Sequence, residues 1–359
     1  MATQTGSSST GNSSSSLVVA AAATAVATSA FVIAWMVQRR HHNHPVSSKA
    51  QKLQQEKGII LYRFDPPAGQ PYGDKSCSPF GIKVETFLRL AGLKYTCPPF
   101  SSTSIWTNQK RKLPTCKIDG VLVADSTFIL DYIMTKSSYA SQVQHQLKCH
   151  DKLTPQQHGL GMAVKALCED SLYWIIGYWR YQNDAGFQEY IQCNATLHFL
   201  PWPLRTCLER FSRKAILSQL WQQGMGRHPP QEVERLGQDA VDAIDALLDH
   251  NKKYLLGDKP SIYDATLFAM CSGIVEMNVK SPLKQYTLQK KNIMAYLYRI
   301  NRQCGWNWKT EFATWKTYVG FTRHLYVSRY IPNIIIVLVI CRLVLQVQND
   351  THSTSLVTL

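Results

Sequence analysis

The sequence predicts an α/β domain followed by an all-α domain, set behind an N-terminal transmembrane helix. Three observations predict this. From Gly58 to about Met134, short β-branched and aromatic runs alternate with amphipathic stretches in the order β-α-β, β-hairpin, α. From about residue 150 to 310 the pattern is helical. Leu17 to Val37, "LVVAAAATAVATSAFVIAWMV", is 21 residues without a charge. At ~1.5 Å of rise per residue it matches a bilayer core of roughly 30 Å.

Bulk composition agrees. A chain of 359 residues, 45% hydrophobic and 18% charged, suits two domains plus tails and builds its core without disulfide staples. Ten cysteines are scattered with neither a CxxC pair nor zinc-site spacing to histidines. No metal is expected, and the thiols read as free in a reducing compartment. Net charge is +15. Between Lys284 and Arg329 nine Lys/Arg face one acid, Glu311, with Trp306, Trp308 and Trp315 among them. Such a surface suits nucleic acid or an anionic bilayer. The apolar segment favours the membrane, and no nucleic acid partner is expected.

The termini carry their own expectations. Residues 1–16 are polar and low in complexity, which reads as a disordered tail. Residues 38–57 form a basic linker that opens on Arg39 and Arg40. With the charge on that flank, the positive-inside rule puts the folded part in the cytosol. A cleaved signal peptide fits less well, because no cation precedes the apolar run. The anchoring membrane stays open, the mitochondrial outer membrane included. Residues 311–359 form a basic and apolar tail. Within it Tyr330–Val347 is short and broken by Arg342, and reads as a second membrane segment, a buried strand, an interfacial stretch or an atypical C-terminus.

The α/β domain, residues 58–140, starts with the strand pattern "GIILYRF". A Pro/Gly-rich loop leads to Ser78-Pro79, a cap-then-proline helix start. Ile82, Val84, Phe87, Leu88 and Leu90 then give the helix an apolar face, and Gly92 ends it. "KYTCPPF" is a second extended run. "PTCKI" and "VLVAD" flank the turn at Asp119-Gly120, and another helix starts at Ser126. This order is the thioredoxin-like pattern.

At "RKLPTCKIDGVLVADSTFILDYI" the chain resembles the N-terminal domain of glutathione transferases. The resemblance implies a cis Pro114, with Leu113 before it binding the glutathione backbone. It also implies that Asp125 and Ser126 hold the γ-glutamyl end at a helix N-terminus, a suitable anion site. Asp125 is one carbon shorter than the usual Glu or Gln. Ser78 stands where related enzymes carry the cysteine of Cys-Pro-Phe/Tyr. It reads as helix cap, as glutathione contact or as catalytic group. Cys77 is a second candidate thiol, of lowered pKa if it faces the cleft.

The all-α domain, residues 150–310, opens at Thr154-Pro155. The aromatic stripe Trp174, Tyr178, Trp179 and Tyr181 reads as core. Pro230 opens a helix with Val233, Leu236, Ala240 and Ile244 on one face. His228 ahead of it reads as packing and capping rather than catalysis. Ser261-x-x-Asp264 is a capping box, and it resembles the core N-cap of the C-terminal domain of glutathione transferases, a folding element.

"SPFGIKVETFLRLAGLKY", "EDSLYWIIGYWRY", "GMGRHPPQEVERLGQDAV" and "LLGDKPSIYDATLF", in this order, resemble the failed axon connections family, which is related to the metaxins. That resemblance covers about residues 58–308. It implies an α/β thioredoxin-like N-terminal domain, an all-α glutathione-transferase-like C-terminal domain and, for animal members, roles in axon development. The expected function is a membrane-anchored binding or adapter protein with glutathione and protein partners. A glutathione-dependent transferase and a metaxin-like mitochondrial import component are the alternatives.

Overall fold

The computed structural model describes residues 57–67, 74–100, 105, 108–193, 202–248, 252–276 and 279–306. The predicted transmembrane helix, the N-terminal tail, the linker up to residue 56 and the 311–359 tail lie outside them. Among the described residues no helix is long and apolar enough to cross a membrane.

The N-terminal part is a four-stranded sheet with helices. Ile59–Tyr62 (β1) leads through a long loop to Pro79–Leu90 (α1) and then Tyr95–Thr96 (β2), which returns parallel to β1. Thr115–Ile118 (β3) and Val121–Ala124 (β4) complete the order β2-β1-β3-β4, both in antiparallel pairs. Asp119 and Gly120 both have positive φ (46° and 88°), the twist that suits a two-residue hairpin. The predicted extended run "KYTCPPF" yields a strand at two residues only. Ser126–Thr135 (α2) packs on α1, and Ala140–Gln146 (α3) on α2.

The helical part follows the predicted starts. Pro155–Ala166 (α4) opens on a complete capping box between Thr154 and Gln157. Leu167–Leu172 widens into a π-helical turn between α4 and Tyr173–Tyr181 (α5). Within that turn Cys168 and Leu172 enter the core while Glu169 meets a buried lysine of α1. Asp184–Cys193 (α6) and the 22-residue Trp202–Gln223 (α7) follow. Pro230–Leu247 (α8), Ile262–Val275 (α9), Pro282–Leu288 (α10) and Lys291–Gln303 (α11) complete the described chain.

Helix α9 is buried at every position and packs more extensively on α1 than on any other element. One continuous apolar core therefore runs from β1 through α1 and α9 to Trp306. Its N-cap is the predicted box in full. Asp264 accepts from the Ser261 N–H (2.7 Å) and hydroxyl (2.7 Å), from the Leu255 N–H (2.9 Å) and from the Tyr296 hydroxyl (3.0 Å).

Candidate functional site

The site lies at one end of the sheet. Tyr62 of β1 pairs with Thr115, and Thr115 pairs with Ala124. Phe64–Asp65, Leu113–Pro114 and Asp125–Ser126 therefore leave the sheet together. A right-handed β-α-β crossover starts its helix at the same end, so the N-terminus of α1 joins them. Local bonds fix this junction. Ser76 donates its hydroxyl to the Phe64 carbonyl (2.8 Å) and accepts from the Ser78 N–H (3.1 Å), while the Cys77 N–H reaches the Asp65 carbonyl (3.1 Å). The Asp125 N–H reaches the Pro114 carbonyl (3.3 Å). The Leu113–Pro114 bond is cis.

Ser78 stands at the N-cap position of α1 in extended backbone, but its hydroxyl makes no cap hydrogen bond. This corrects the reading of its side chain as the cap. The hydroxyl stays half-buried and uncommitted. Ser126 is likewise not the cap of α2. Asp125 is, at φ 86°, accepting from the Thr127 N–H (2.9 Å). Ser126 is the first helical residue, buried, and its hydroxyl and N–H bond nothing else among the described residues. The Leu113 N–H and carbonyl are also without hydrogen bonds among them. Asp125 also pairs with Lys110 at 3.4 Å, and Lys110 lies over the Phe128 ring. Three sets of donors and acceptors are thus left open at one sheet end, beside a helix N-terminus.

Those groups fit glutathione. A main-chain strip at Leu113 matches its peptide backbone, and the Ser126 N–H and hydroxyl at the start of α2 match a carboxylate. The Ser78 hydroxyl at the start of α1 matches a thiol or thiolate.

Cys77 takes no part in such chemistry. It is buried against Tyr190 and Val279, and burial pushes its thiol up to about 11, with Arg180 only partly opposing this. A reactive thiol needs the opposite shift. His228, ahead of α8, is exposed rather than packed as expected, and bonds Glu232 in the first turn of that helix at 2.7 Å.

Two features escaped the sequence. Lys83 lies on the buried face of α1, one turn before Phe87, and its ammonium meets Glu169 (2.6 Å) and the Thr127 hydroxyl (3.1 Å). It ties the start of α2 to the helical domain. Burial pulls its pKa down, while Glu169 opposes that. A lysine inside an apolar stripe was the available signal. The second is Lys75, which clamps the long loop to the helical domain through Glu276 (2.6 Å) and Asn301 and sits over the Trp306 ring. Its counter-ion is two hundred residues away along the chain, beyond the reach of any local pattern.

Comparison with known proteins follows the same lines. Family models describing the glutathione S-transferase N-terminal domain and the glutathione S-transferase C-terminal domain match residues 79–186 and 237–300. Failed axon connections of Drosophila melanogaster is 29% identical over 269 residues, 72% of this chain and 60% of that protein. This chain therefore spans less than two thirds of that relative. Isoprene-epoxide–glutathione S-transferase of Rhodococcus sp. (strain AD45) is 29% identical over 68% of this chain and 98% of that enzyme. The crystal structure of glutathione transferase GSTFuA3 from Phanerochaete chrysosporium matches at 17% identity, covering 72% of this chain and 99% of that one, with a TM-score of 0.46. Both glutathione S-transferase domain models match in order, so the chain has a glutathione-S-transferase-like fold, and it is similar to Failed axon connections over 72% of its length.

Proposed function

We propose that the protein is a membrane-tethered glutathione-binding protein whose folded part faces the cytosol and serves as a binding platform for other proteins. One observation carries the glutathione part. The Ser78 hydroxyl, the Leu113 main chain and the Ser126 N–H and hydroxyl lie at the same sheet end, and among the described residues none is used to hold the fold together. Polar groups left uncommitted together at two helix starts are available to an anionic ligand. The uncharged run at 17–37 and the arginines after it support the tether and its orientation.

A transferase reading is favoured by the similarity to isoprene-epoxide–glutathione S-transferase over nearly the whole length of that enzyme. In that reading the Ser78 hydroxyl donates to the glutathione sulfur and favours its thiolate. The thiolate forms the new S–C bond, and the electron pair of the broken bond leaves on the electrophile. No general base is required at Ser78, because the hydroxyl donates rather than attacks.

Titration of the full-length protein in detergent with glutathione tests the shared step. Saturable binding that weakens in Ser126→Ala and persists in His228→Ala supports the site. Absence of binding at millimolar glutathione overturns it. Turnover of an epoxide or aryl halide in the same preparation, lost in Ser78→Ala, would place the transferase ahead of the binding platform.

A further inference from the structure

Helix α7 falls between the two segments matched by the family models and carries a face left exposed among the described residues. At 3.6 residues per turn, Leu220, Ile216 and Leu217 lie on the side that packs against the core, and Arg213 on that side holds the carbonyl of Tyr181 and the carboxylate of Asp184. The opposite side, an arc of about 160°, presents Leu208, Phe211 and Trp221 together with Arg210 and Lys214. Phe211 is 73% exposed and Trp221 61%. The one acid of the helix, Glu209, lies outside this arc and pairs with Arg205 at 3.4 Å. Solvent alone does not favour two large aromatics on one unpartnered helix face.

We propose that this face of α7 docks on an anionic phospholipid surface. The aromatic and leucine side chains enter the headgroup–acyl boundary, and Arg210 and Lys214 meet the phosphates. Charge complementarity argues for this occupant: the arc holds two cations and no acid, in a chain of net charge +15. The inference adds to the tether of residues 17–37, which keeps the folded part close to a bilayer. A helix lying on that bilayer would fix the orientation of the glutathione site relative to the membrane.

Cys207, exposed on the same arc, is a native reporter. Full-length protein is reconstituted into vesicles of phosphatidylcholine alone and into vesicles rich in phosphatidylserine, and floated. Maleimide labelling of Cys207 is read by peptide mass spectrometry. The expected result is labelling at least about fivefold slower on the phosphatidylserine vesicles, relieved by high salt and by the pair Arg210→Glu and Lys214→Glu. Unchanged melting of that pair shows that it folds. Equal labelling on both vesicles overturns the proposal. Protection already present in detergent also overturns it: rising with protein concentration it assigns the face to a second copy, and independent of concentration to another part of this chain. Failure to float with phosphatidylcholine, with Cys207 still protected on phosphatidylserine, would sink the tether and leave the docking face standing.

Discussion

The N-termini of α1 and α2 on one side, and of α9 on the other, use the same residue type to opposite ends. At α9 the serine and its acid are buried, and the carboxylate of Asp264 accepts four hydrogen bonds. At α1 and α2, Ser78 and Ser126 stand at helix starts with hydroxyls that close no cap. The helix start at α9 is stabilised by its own box, whereas those at the sheet end rely on neighbours, Ser76 for one and Asp125 for the other. Where neighbours do the local work, the serine hydroxyl is left uncommitted. A helix-start serine thus has to be judged by which group satisfies the turn around it.

The contrast can be broken first at Asp264. Asp264→Ala should cost about 3–5 kcal/mol, because it strips partners from two buried N–H groups and two hydroxyls at once. Chemical denaturation of the variant measures it. The pH dependence sharpens the same point. Burial raises the Asp264 pKa despite its hydrogen bonds. The native state therefore holds this proton at pH values where the unfolded chain, with a pKa of about 3.9, has lost it. The stability contribution is full below that unfolded value and is lost as pH rises through the folded one. A denaturation series across mildly acidic pH should show this slope in the natural protein and not in Asp264→Asn.

Next in size is Gly81→Ala. A Cβ there would stand 2.7 Å from the Ser76 hydroxyl oxygen and 2.9 Å from its Cβ, against a side chain that is itself held in the junction. Overpacking of this kind costs about 1–3 kcal/mol. Glutathione binding should fall along with the melting temperature, because Ser76 orients Ser78. If binding is lost with no change in stability, Ser76 is itself a ligand contact.

Smaller effects belong to the open serines. Ser126→Ala should weaken glutathione about tenfold, or ~1.4 kcal/mol, by calorimetric titration, with little change in melting. Ser78→Ala should leave affinity nearly unchanged and raise the pKa of the bound thiol by about one unit, read from the thiolate absorbance. If either variant instead unfolds the protein, its serine is a structural cap and the contrast with α9 fails.

Much of this fold was legible locally. The alternation in "GIILYRF" and "VLVAD", the Asp119-Gly120 turn and the Thr154, Ser261 and Pro230 starts each depend on residues a few positions apart, and each forms where expected. The resemblance named Leu113, Pro114, Asp125 and Ser126, and strand register brings them to one sheet end with the start of α1. The role of each hydroxyl was not legible. The conformation of Ser78 at the start of α1 depends on Ser76 and on the Phe64 carbonyl beyond a long loop. Cys77 was judged from its place ahead of a helix, and its burial against Tyr190 comes from a helix more than a hundred residues later.

The sequence by itself determined the elements, their order and the residue types available at the site, because propensity, capping and turn chemistry act over a few residues. Only the tertiary structure decided which polar groups are spent and which are left open. It paired Lys83 with Glu169 and Lys75 with Glu276, buried Cys77, and left one face of α7 exposed among the described residues. Those outcomes rest on desolvation and on contacts between distant segments. Neither exists until the chain has packed.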